Sequence, residues 1–247
     1  MQRGIQGVAY AMNAYSEKLN ITANNIANIQ TTGFKKQNAS IRSFDSYMVK
    51  EIANNSRKFL GNLGNISLAS GLSAPYTDFS QGNITETGYR TDFAINGDAF
   101  FVVEGPNGIR YTRNGSFTFD DEGYLITKNG EYVLGENGRI FSPSREIDIA
   151  KDGTLSTGGR LRLVSFLDLT ILENDGVGNF VTDEGNVIPA GNFEIIQGSL
   201  ETSNVDVLEE TKNLLELRRN YESCQMAIRI IDATMEKAAN EIGKVQG

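Results

Sequence analysis

The sequence contains no histidine and no tryptophan, and it has a single cysteine, Cys224, among its 247 residues. Without histidine, general acid–base catalysis, catalytic triads and zinc sites lose their usual participant. One cysteine forms no internal disulfide bond, and its place among regularly spaced apolar residues indicates a small packing side chain. These absences favour a structural protein over an enzyme, and they predict no catalytic residue, metal or cofactor.

Long apolar runs and a secretory leader are also missing. No stretch of about 18 apolar residues occurs, so no transmembrane helix is expected. Residues 1–5 lack the apolar core and the small-residue cleavage site of a signal peptide. The sequence therefore predicts either a cytoplasmic protein or one that leaves by a route that does not cleave its N-terminus.

Two acidic clusters, at residues 120–122 and 183–184, each directly precede a glycine. Neither has the spaced series of oxygen ligands that a calcium loop requires, so hairpin turns are the better interpretation. The glycine pair at 158–159 lacks the lysine and serine that follow the glycines of a phosphate-binding loop. No small-molecule substrate site is expected.

The formal net charge of −8 is unevenly distributed. Residues 76–200 hold 19 acidic and 9 basic side chains, a net of −10, whereas the flanks hold 12 acidic and 14 basic ones, a net of +2. Nucleic-acid binding needs a basic face, so the acidic middle argues against nucleic acid as a partner. The nearly neutral ends can associate without strong repulsion.

Both ends of the chain carry apolar residues that alternate at spacings of three and four, the a/d pattern of helices that pack lengthwise. At the N-terminus these are Ile5, Val8, Met12, Tyr15, Leu19, Thr22 and Ile26. At the C-terminus they are Leu214, Leu217, Tyr221, Cys224, Ile228, Ile231, Met235, Ala238, Ile242 and Val245. A helix over residues 206–245 would be roughly 60 Å long, too long for one domain of this size to cover. The pattern predicts a helical pair, either self-contained or completed by other subunits.

The middle of the chain is punctuated by Asn-Gly at 96–97, 107–108, 114–115, 129–130 and 137–138, and by Asp-Gly at 152–153 and 175–176. These dipeptides favour tight hairpin turns. Short β-type runs lie between them: Phe100–Val103, Arg110–Thr112, Ser116–Phe119, Tyr124–Thr127, Tyr132–Leu134, Ile147–Ile149 and Leu161–Phe166. This spacing predicts an antiparallel all-β domain.

The predicted fold class is α+β, with long N- and C-terminal helices that pair as a coiled coil and an inserted antiparallel all-β domain. Residues 1–33 and 204–247 form the helical domain, 34–75 a connecting segment, and 76–203 a β-rich outer domain. The N-terminal helix is expected to end near Ile29, and Ser203 or Asn204 is expected to cap the C-terminal helix.

Three asparagines, Asn24, Asn25 and Asn28, crowd the last turns of the predicted first helix. Asparagine is a poor helix former, and each amide both donates and accepts hydrogen bonds. We expect these side chains to contact another chain or the following loop, and a frayed helix end is the alternative.

Two distant stretches resemble signatures of the flagellar basal-body rod and hook family. Residues 23–28 (Ala-Asn-Asn-Ile-Ala-Asn) with 31–35 (Thr-Thr-Gly-Phe-Lys) resemble the first, and residues 198–205 with 219–222 are similar to the second. Residues 111–117 and 123–125 resemble the family's β domain. The run at 151–155 followed by 159–164 looks like the FlgF-type proximal rod subgroup, with the FlgG-type distal rod proteins next. Ala99 departs from the glycine that the family usually has there.

This resemblance implies a structural subunit of the bacterial flagellar rod, which spans the periplasm and transmits torque. Its implied partners are copies of itself and other rod proteins in a helical assembly, and the type III export apparatus, which would export it without cleaving a signal peptide. The assembly interface is expected to comprise Ile5, Val8, Met12, Leu19, Asn24, Asn25, Ile26, Asn28, Leu214, Leu217, Tyr221, Ile228, Ile231, Met235 and Ile242.

Two other classes remain as alternatives. A soluble scaffold protein would hold a permanent intramolecular coiled coil. A carbohydrate-binding or carbohydrate-active β domain is less favoured, because residues 76–200 contain no tryptophan.

Overall fold

A computed structural model describes residues 2–43, 70–176 and 178–244. Two helices, α1 (Gln2–Ala27) and α2 (Val207–Lys244), flank a β-rich region in the sequence. The described residues divide into two compact units: unit 1 holds residues 2–26, 37–43, 70–76 and 207–244, and unit 2 holds residues 27–36 and 77–206. Over the described residues, neither helix combines the length and apolar character needed to cross a bilayer.

Unit 1 combines the two helices with short strands. These are β1 (Gln37–Asn38), β2 (Ile41–Ser43) and β3 (Ser70–Leu72), and β4 (Tyr76–Thr77) follows where the chain passes into unit 2. Strands β2 and β3 pair antiparallel, with Arg42 opposite Gly71.

Unit 2 is built almost wholly of strands and turns. Its strands are β5 (Ile84–Glu86), β6 (Phe93–Gly97), β7 (Phe100–Gly105), β8 (Gly108–Thr112), β9 (Phe117–Phe119), β10 (Leu125–Thr127), β11 (Tyr132–Gly135), β12 (Gly138–Arg139), β13 (Leu163–Phe166), β14 (Glu173–Asn174), β15 (Phe180–Val181), β16 (Val187–Pro189), β17 (Phe193–Gln197) and β18 (Ser199–Glu201). Short 3₁₀ turns cover Leu169–Ile171 and Glu184–Asn186.

Ten of these strands form one antiparallel sheet, and seven of them follow the order β14-β15-β8-β7-β11-β10-β9. Strand β12 pairs with β11, and β13 pairs with both β7 and β16. Two smaller ladders, β6–β17 and β5–β18, are also antiparallel. The last two strands therefore return to pair with the first two strands of the unit, which joins the beginning and end of the β region.

Strand β7 is buried on both faces, which explains its uninterrupted apolar sequence. Because side chains alternate along a strand, Phe101 and Val103 enter one hydrophobic core while Phe100 and Val102 enter another. The first core collects side chains from β6, β9, β10, β11 and β17, and the second includes Phe180.

The dipeptide turns mostly form as predicted. In six of the seven Asn-Gly and Asp-Gly pairs the glycine has a positive φ, from 81° to 126°. The seventh glycine, Gly115, is required for a different reason. The backbone of Phe93 passes so close to it that a Cβ at Gly115 would lie 1.7 Å from the Phe93 carbonyl oxygen. The acidic residues at 120–122 form the turn between β9 and β10, where the Asp120 carboxylate accepts from the Glu122 and Tyr124 amides.

The predicted coiled coil is wrong. The structure has the two helices and a large, mostly antiparallel β domain, but the described residues show no coiled-coil seam. A seam would bury the a/d side chains of both helices in each other's grooves. Of the a/d apolar residues assigned to the predicted interface, only Leu217, 6% exposed, is buried, while the other described ones stay half-buried. The three-four spacing alone therefore overstated how well the chain covers its own helices.

Several boundaries also differ from the sequence-based prediction. Helix α1 ends at Ala27 and α2 begins at Val207, so neither Ser203 nor Asn204 is the residue before the helix. Residues 147–149 contribute a single bridge, between Ile149 and Leu155, in place of a strand. The predicted connecting segment, residues 34–75, lies partly outside the described residues.

Candidate assembly interface

The apolar residues of the predicted interface in α1 lie on one half-covered face. Ile5, Val8, Met12, Leu19 and Ile26 are each half-buried within the chain. The opposite face is exposed and rich in amides, with Gln6, Tyr10, Asn13, Glu17, Asn20 and Asn24. Spacings of four and three place these residues on one stripe. Helix α1 therefore presents a partly apolar face and a polar face.

The three predicted asparagines have different surroundings. Asn24 is exposed, and Asn28 is half-buried with its side-chain oxygen accepting from the Thr31 hydroxyl at 3.2 Å. Asn25 is 1% exposed and binds its own chain. Its amide nitrogen donates to the Gln37 carbonyl at 2.8 Å and to the Glu210 carboxylate at 3.3 Å, and its oxygen accepts from the Gln37 amide at 3.0 Å.

The predicted interface residues of α2 form a second half-covered face. Leu217 is buried, and Leu214, Tyr221, Ile228, Ile231 and Met235 are half-buried. The side chain of Ile242 lies outside the described residues. This face retains accessible apolar surface along most of its length.

An additional apolar stripe lies on the opposite face of α2. Leu208, Leu215, Met226 and Ile230 are between 53% and 82% exposed. Their separations of 7, 11 and 4 residues return to the same side of a helix with 3.6 residues per turn. This stripe was not predicted, because it lies outside the a/d register of the helix. The 11-residue spacing between Leu215 and Met226 is a sequence signal that could have identified it.

The loop after α1 is anchored in unit 2 by a buried ion pair. We call residues 28–36 the strap. The Lys35 ammonium group donates to the Glu201 carboxylate at 2.7 Å and to the Ser80 carbonyl at 2.8 Å, and the side chains of both ionised residues are 1% exposed. Burial lowers the pKa of Lys35, and the Glu201 charge opposes that shift.

A second buried cation meets the same carboxylate. The Arg113 guanidinium lies 3.6 Å from Glu201, stacks over the Phe100 ring at 4.6 Å, and donates to the Gly97 carbonyl at 2.8 Å. Burial also lowers the pKa of Arg113. The Gly82 amide donates to Glu201 at 2.9 Å, so this carboxylate joins the strap, the β domain and β18.

Backbone contacts complete the strap's seat. The Gly33 amide donates to the Glu201 carbonyl at 2.8 Å, and φ at Gly33 is +67°. A Cβ there would lie 2.4 Å from the Asn114 backbone nitrogen. The Asn204 side chain accepts from the Lys36 amide at 2.7 Å and donates to the Asp78 carbonyl at 2.8 Å. Glu201, Arg113 and Asn204 were not among the predicted interface residues, since their partners are distant in sequence.

The buried contacts described above hold distant segments of the chain together. Among the described residues, no group of three or more Cys, Asp or Glu side chains is placed to hold a metal ion. Cys224 is a free thiol whose pKa is raised by burial. The ionised side chains at the strap are engaged with one another. Together with the half-covered helix faces, these contacts are typical of a structural protein.

Comparisons with known proteins agree with that class. The family model "Flagella basal body rod protein" matches residues 9–35, "Flagellar hook protein FlgE/F/G D1 domain" matches 94–157, and "Flagellar basal body rod FlgEFG protein C-terminal" matches 196–241. The chain is 36% identical over 241 residues to the flagellar basal-body rod protein FlgF of Caulobacter vibrioides, covering 92% of this chain and 93% of the relative. It is 32% identical over 246 residues to FlgG of Buchnera aphidicola from Acyrthosiphon pisum, covering 92% and 94%. The hook protein FlgE of Helicobacter pylori is 41% identical over 131 residues, but these cover only 18% of that protein.

The chain belongs to the flagellar basal-body rod protein family. This confirms the resemblance drawn from the two terminal signatures, and it confirms the prediction of a structural protein that is not an enzyme. Residues 28–35 of the strap, which include Lys35, lie in the N-terminal matched region, and Glu201 lies in the C-terminal one. The buried ion pair therefore joins the two signatures that carry the resemblance.

Proposed function

We propose that this chain is a rod subunit that polymerises through its terminal helices into the hollow axial shaft that transmits torque. The observation that carries the proposal is the apolar surface on two opposite faces of α2, one half-covered and one exposed. A helix with apolar side chains on both faces gains stability when neighbours cover both. Family membership supports a rod as the assembly.

The proposed interface keeps the residues expected from the sequence: Ile5, Val8, Met12, Leu19, Asn24, Asn25, Ile26, Asn28, Leu214, Leu217, Tyr221, Ile228, Ile231, Met235 and Ile242. We add the exposed stripe of Leu208, Leu215, Met226 and Ile230. Within this set, Asn24 lies at the surface, whereas Asn25 is buried. Residues 76–203 form the outer domain of the proposed polymer.

Family membership places the chain in the flagellar basal body. We propose that its neighbours there are other rod proteins and further copies of itself. Head-to-tail contacts that do not close into a ring generate an open helical array. We also propose that the chain crosses the inner membrane through the flagellar type III export apparatus and keeps its N-terminus.

Within the family, we propose a FlgF-type proximal subunit, with the FlgG-type distal subunit as the alternative. Identity to the Caulobacter FlgF is 36% and to the Buchnera FlgG is 32%, at nearly equal coverage. Expression of this chain in strains lacking one or the other protein distinguishes the two, because only the matching deletion should regain rods. Rescue of the FlgG deletion alone would reassign the chain to the distal type.

The assembly proposal is tested with single aspartates on the two faces of α2. Ile230→Asp places a charge on the exposed stripe, where the monomer loses little, and Ile228→Asp places one on the half-covered face. Both variants should be absent from purified basal bodies while the near-ultraviolet circular dichroism of the purified monomers is retained. The reason is that an uncompensated charge is costly only once a neighbour covers it.

Ile230→Leu is the matched control, because it changes the same position and keeps the stripe apolar without adding a charge. It should enter basal bodies at the wild-type level. Normal incorporation of both the Ile230 and the Ile228 variant would contradict assembly through α2. Normal incorporation of the Ile230 variant alone would remove the exposed stripe from the interface.

A further inference from the structure

We propose that docking of the strap is conditional on β18, whereas β18 takes its place without the strap. The strap would then be a conformational latch that closes only after the last strand of the β domain is seated. This inference concerns folding within unit 2 and does not rest on the proposed rod function.

Docking of the strap buries a charged side chain. Lys35 is 2% exposed, and its ammonium group meets the Glu201 carboxylate at 2.7 Å. A buried ammonium group without a counter-charge is strongly unfavourable, because it gives up hydration without compensation. The buried position of the Lys35 ammonium group is therefore favourable only when Glu201 lies beside it.

Strand β18 is held in place by contacts that do not involve the strap. It pairs antiparallel with β5 over three residue pairs, with Glu201 opposite Ile84. The Thr202 amide donates to the Asn83 carbonyl at 2.8 Å just beyond the ladder. Besides Lys35, the Glu201 carboxylate has Arg113 at 3.6 Å and the Gly82 amide at 2.9 Å. None of these contacts involves the strap.

The strap and β18 are far apart in the sequence. Lys35 and Glu201 are 166 residues apart, and β5 to β17 all lie between them. Contacts that close such long loops form late, because the entropy cost of closure precedes their stabilising effect. A chain synthesised from its N-terminus holds its Lys35 before any residue of β18 exists. The strap must then wait in an undocked state.

Hydrogen exchange of the full chain, read by mass spectrometry, tests both directions of this dependence. The Gly33 and Lys36 amides report on strap docking, since they donate to the Glu201 carbonyl and the Asn204 side chain. Peptides containing β18 report on its ladder with β5. Glu201→Gln removes the counter-charge from the strap's seat, and Gly33→Val blocks the strap sterically without altering any group of the β domain.

In Glu201→Gln, strap exchange should accelerate at least tenfold, which corresponds to about 1.4 kcal/mol of docking free energy. Exchange in β6 and β17 should remain within twofold of wild type. In Gly33→Val, strap exchange should accelerate similarly. Exchange of β18 should accelerate by no more than the same factor, because the strap must undock before β18 opens, and β18 should stay protected relative to the unfolded chain. Glu194→Gln is the control, since it removes the carboxylate of an exposed 2.7 Å pair with Lys151 on neighbouring β17, and it should change neither reporter.

Three results would overturn the proposal. Strap exchange within twofold of wild type in either Glu201→Gln or Gly33→Val would show that docking does not depend on the group changed. Exchange of β18 as fast as in the unfolded chain in Gly33→Val would show that the strand does not take its place without the strap. Accelerated exchange throughout unit 2 in Glu201→Gln would show that the β domain does not stand without this contact.

Discussion

Asn25 binds Gln37 and Glu210 in unit 1, and we call these three residues the clasp. Its hydrogen bonds predict how much stability is lost when Asn25 is replaced. Replacing Asn25 with alanine removes two donated hydrogen bonds and one accepted bond at a side chain that is 1% exposed. The Gln37 amide and carbonyl groups then lose their side-chain partner. The buried Glu210 carboxylate loses one donor.

Each buried polar group left without a partner costs about 1–3 kcal/mol. Gln37 is half-buried, so water can replace part of what its backbone loses, and the lower end of that range applies to it. We therefore expect Asn25→Ala to reduce the stability of the clasp by about 3 kcal/mol in total. At 1.4 kcal/mol per factor of ten, exchange of the Gln37 amide should accelerate on the order of 100-fold.

Asn25→Asp sharpens the prediction through its pH dependence. The new carboxyl group retains an acceptor for the Gln37 amide, but it loses the donor to Glu210 and adds a like charge beside it. Burial and that charge raise the folded-state pKa of the new group above its unfolded value. The folded state then binds more protons than the unfolded state between the two pKa values, so stability of this variant rises as pH falls toward about 4.

The measurement is amide exchange at Gln37 together with helix-monitored urea unfolding at 222 nm. Asn20→Ala is the matched control, because Asn20 is exposed on the same helix, and alanine is the better helix former. The control should be neutral or slightly stabilising. Unfolding of the Asn25→Ala and Asn20→Ala variants within about 0.5 kcal/mol of each other would show that water or rearrangement satisfies the groups that Asn25 binds.

Three further predictions concern single side chains. Lys35→Met should weaken strap docking by about 3 kcal/mol, measured from exchange of the Gly33 and Lys36 amides, because the strap would then cover a carboxylate that is one cation short. Lys151→Met removes an ion pair of the same 2.7 Å length whose lysine is 84% exposed, and it should change neither amide. Gly115→Ala should lower the thermal midpoint by several degrees, about 2–4 °C per kcal/mol for a chain of this size, because the added methyl group would collide with the Phe93 carbonyl oxygen; an unchanged midpoint would refute the close approach. The Cys224 thiol should react with a disulfide reagent at pH 8 at least about tenfold more slowly in the native protein than in urea. The reason is that burial raises the pKa of this thiol and only the thiolate reacts. Equal rates in the two conditions would refute its half-buried position.

The β domain was predictable because its signals are local. An Asn-Gly or Asp-Gly pair specifies positive φ at its own glycine, and six of seven did so in the structure. The continuous apolar run in β7 indicated a strand without revealing that two separate cores would share it. The return of β17 and β18 to β6 and β5 could not be predicted, because antiparallel partners about 100 residues apart leave no local pattern.

The site shows the same division between local and long-range information. The asparagine cluster was identified as a place of specific polar contacts, but the sequence did not reveal that Asn25 would bind Gln37 and Glu210 while Asn24 stayed exposed. The burial of Lys35 beside Glu201 contradicts the usual expectation that lysine lies at the surface. Only the counter-charge makes that position tolerable, and it lies 166 residues away.

The helices show why periodicity misled where turn chemistry did not. A heptad pattern states that one face of a helix is apolar, but it does not state which surface covers that face. In α2 the a/d face is only half-covered by its own chain, and a second apolar stripe lies on the opposite side. Two apolar faces on one helix exceed what a single partner helix can cover. A helix completed by several neighbours accounts for both faces, whereas a two-helix coiled coil accounts for one.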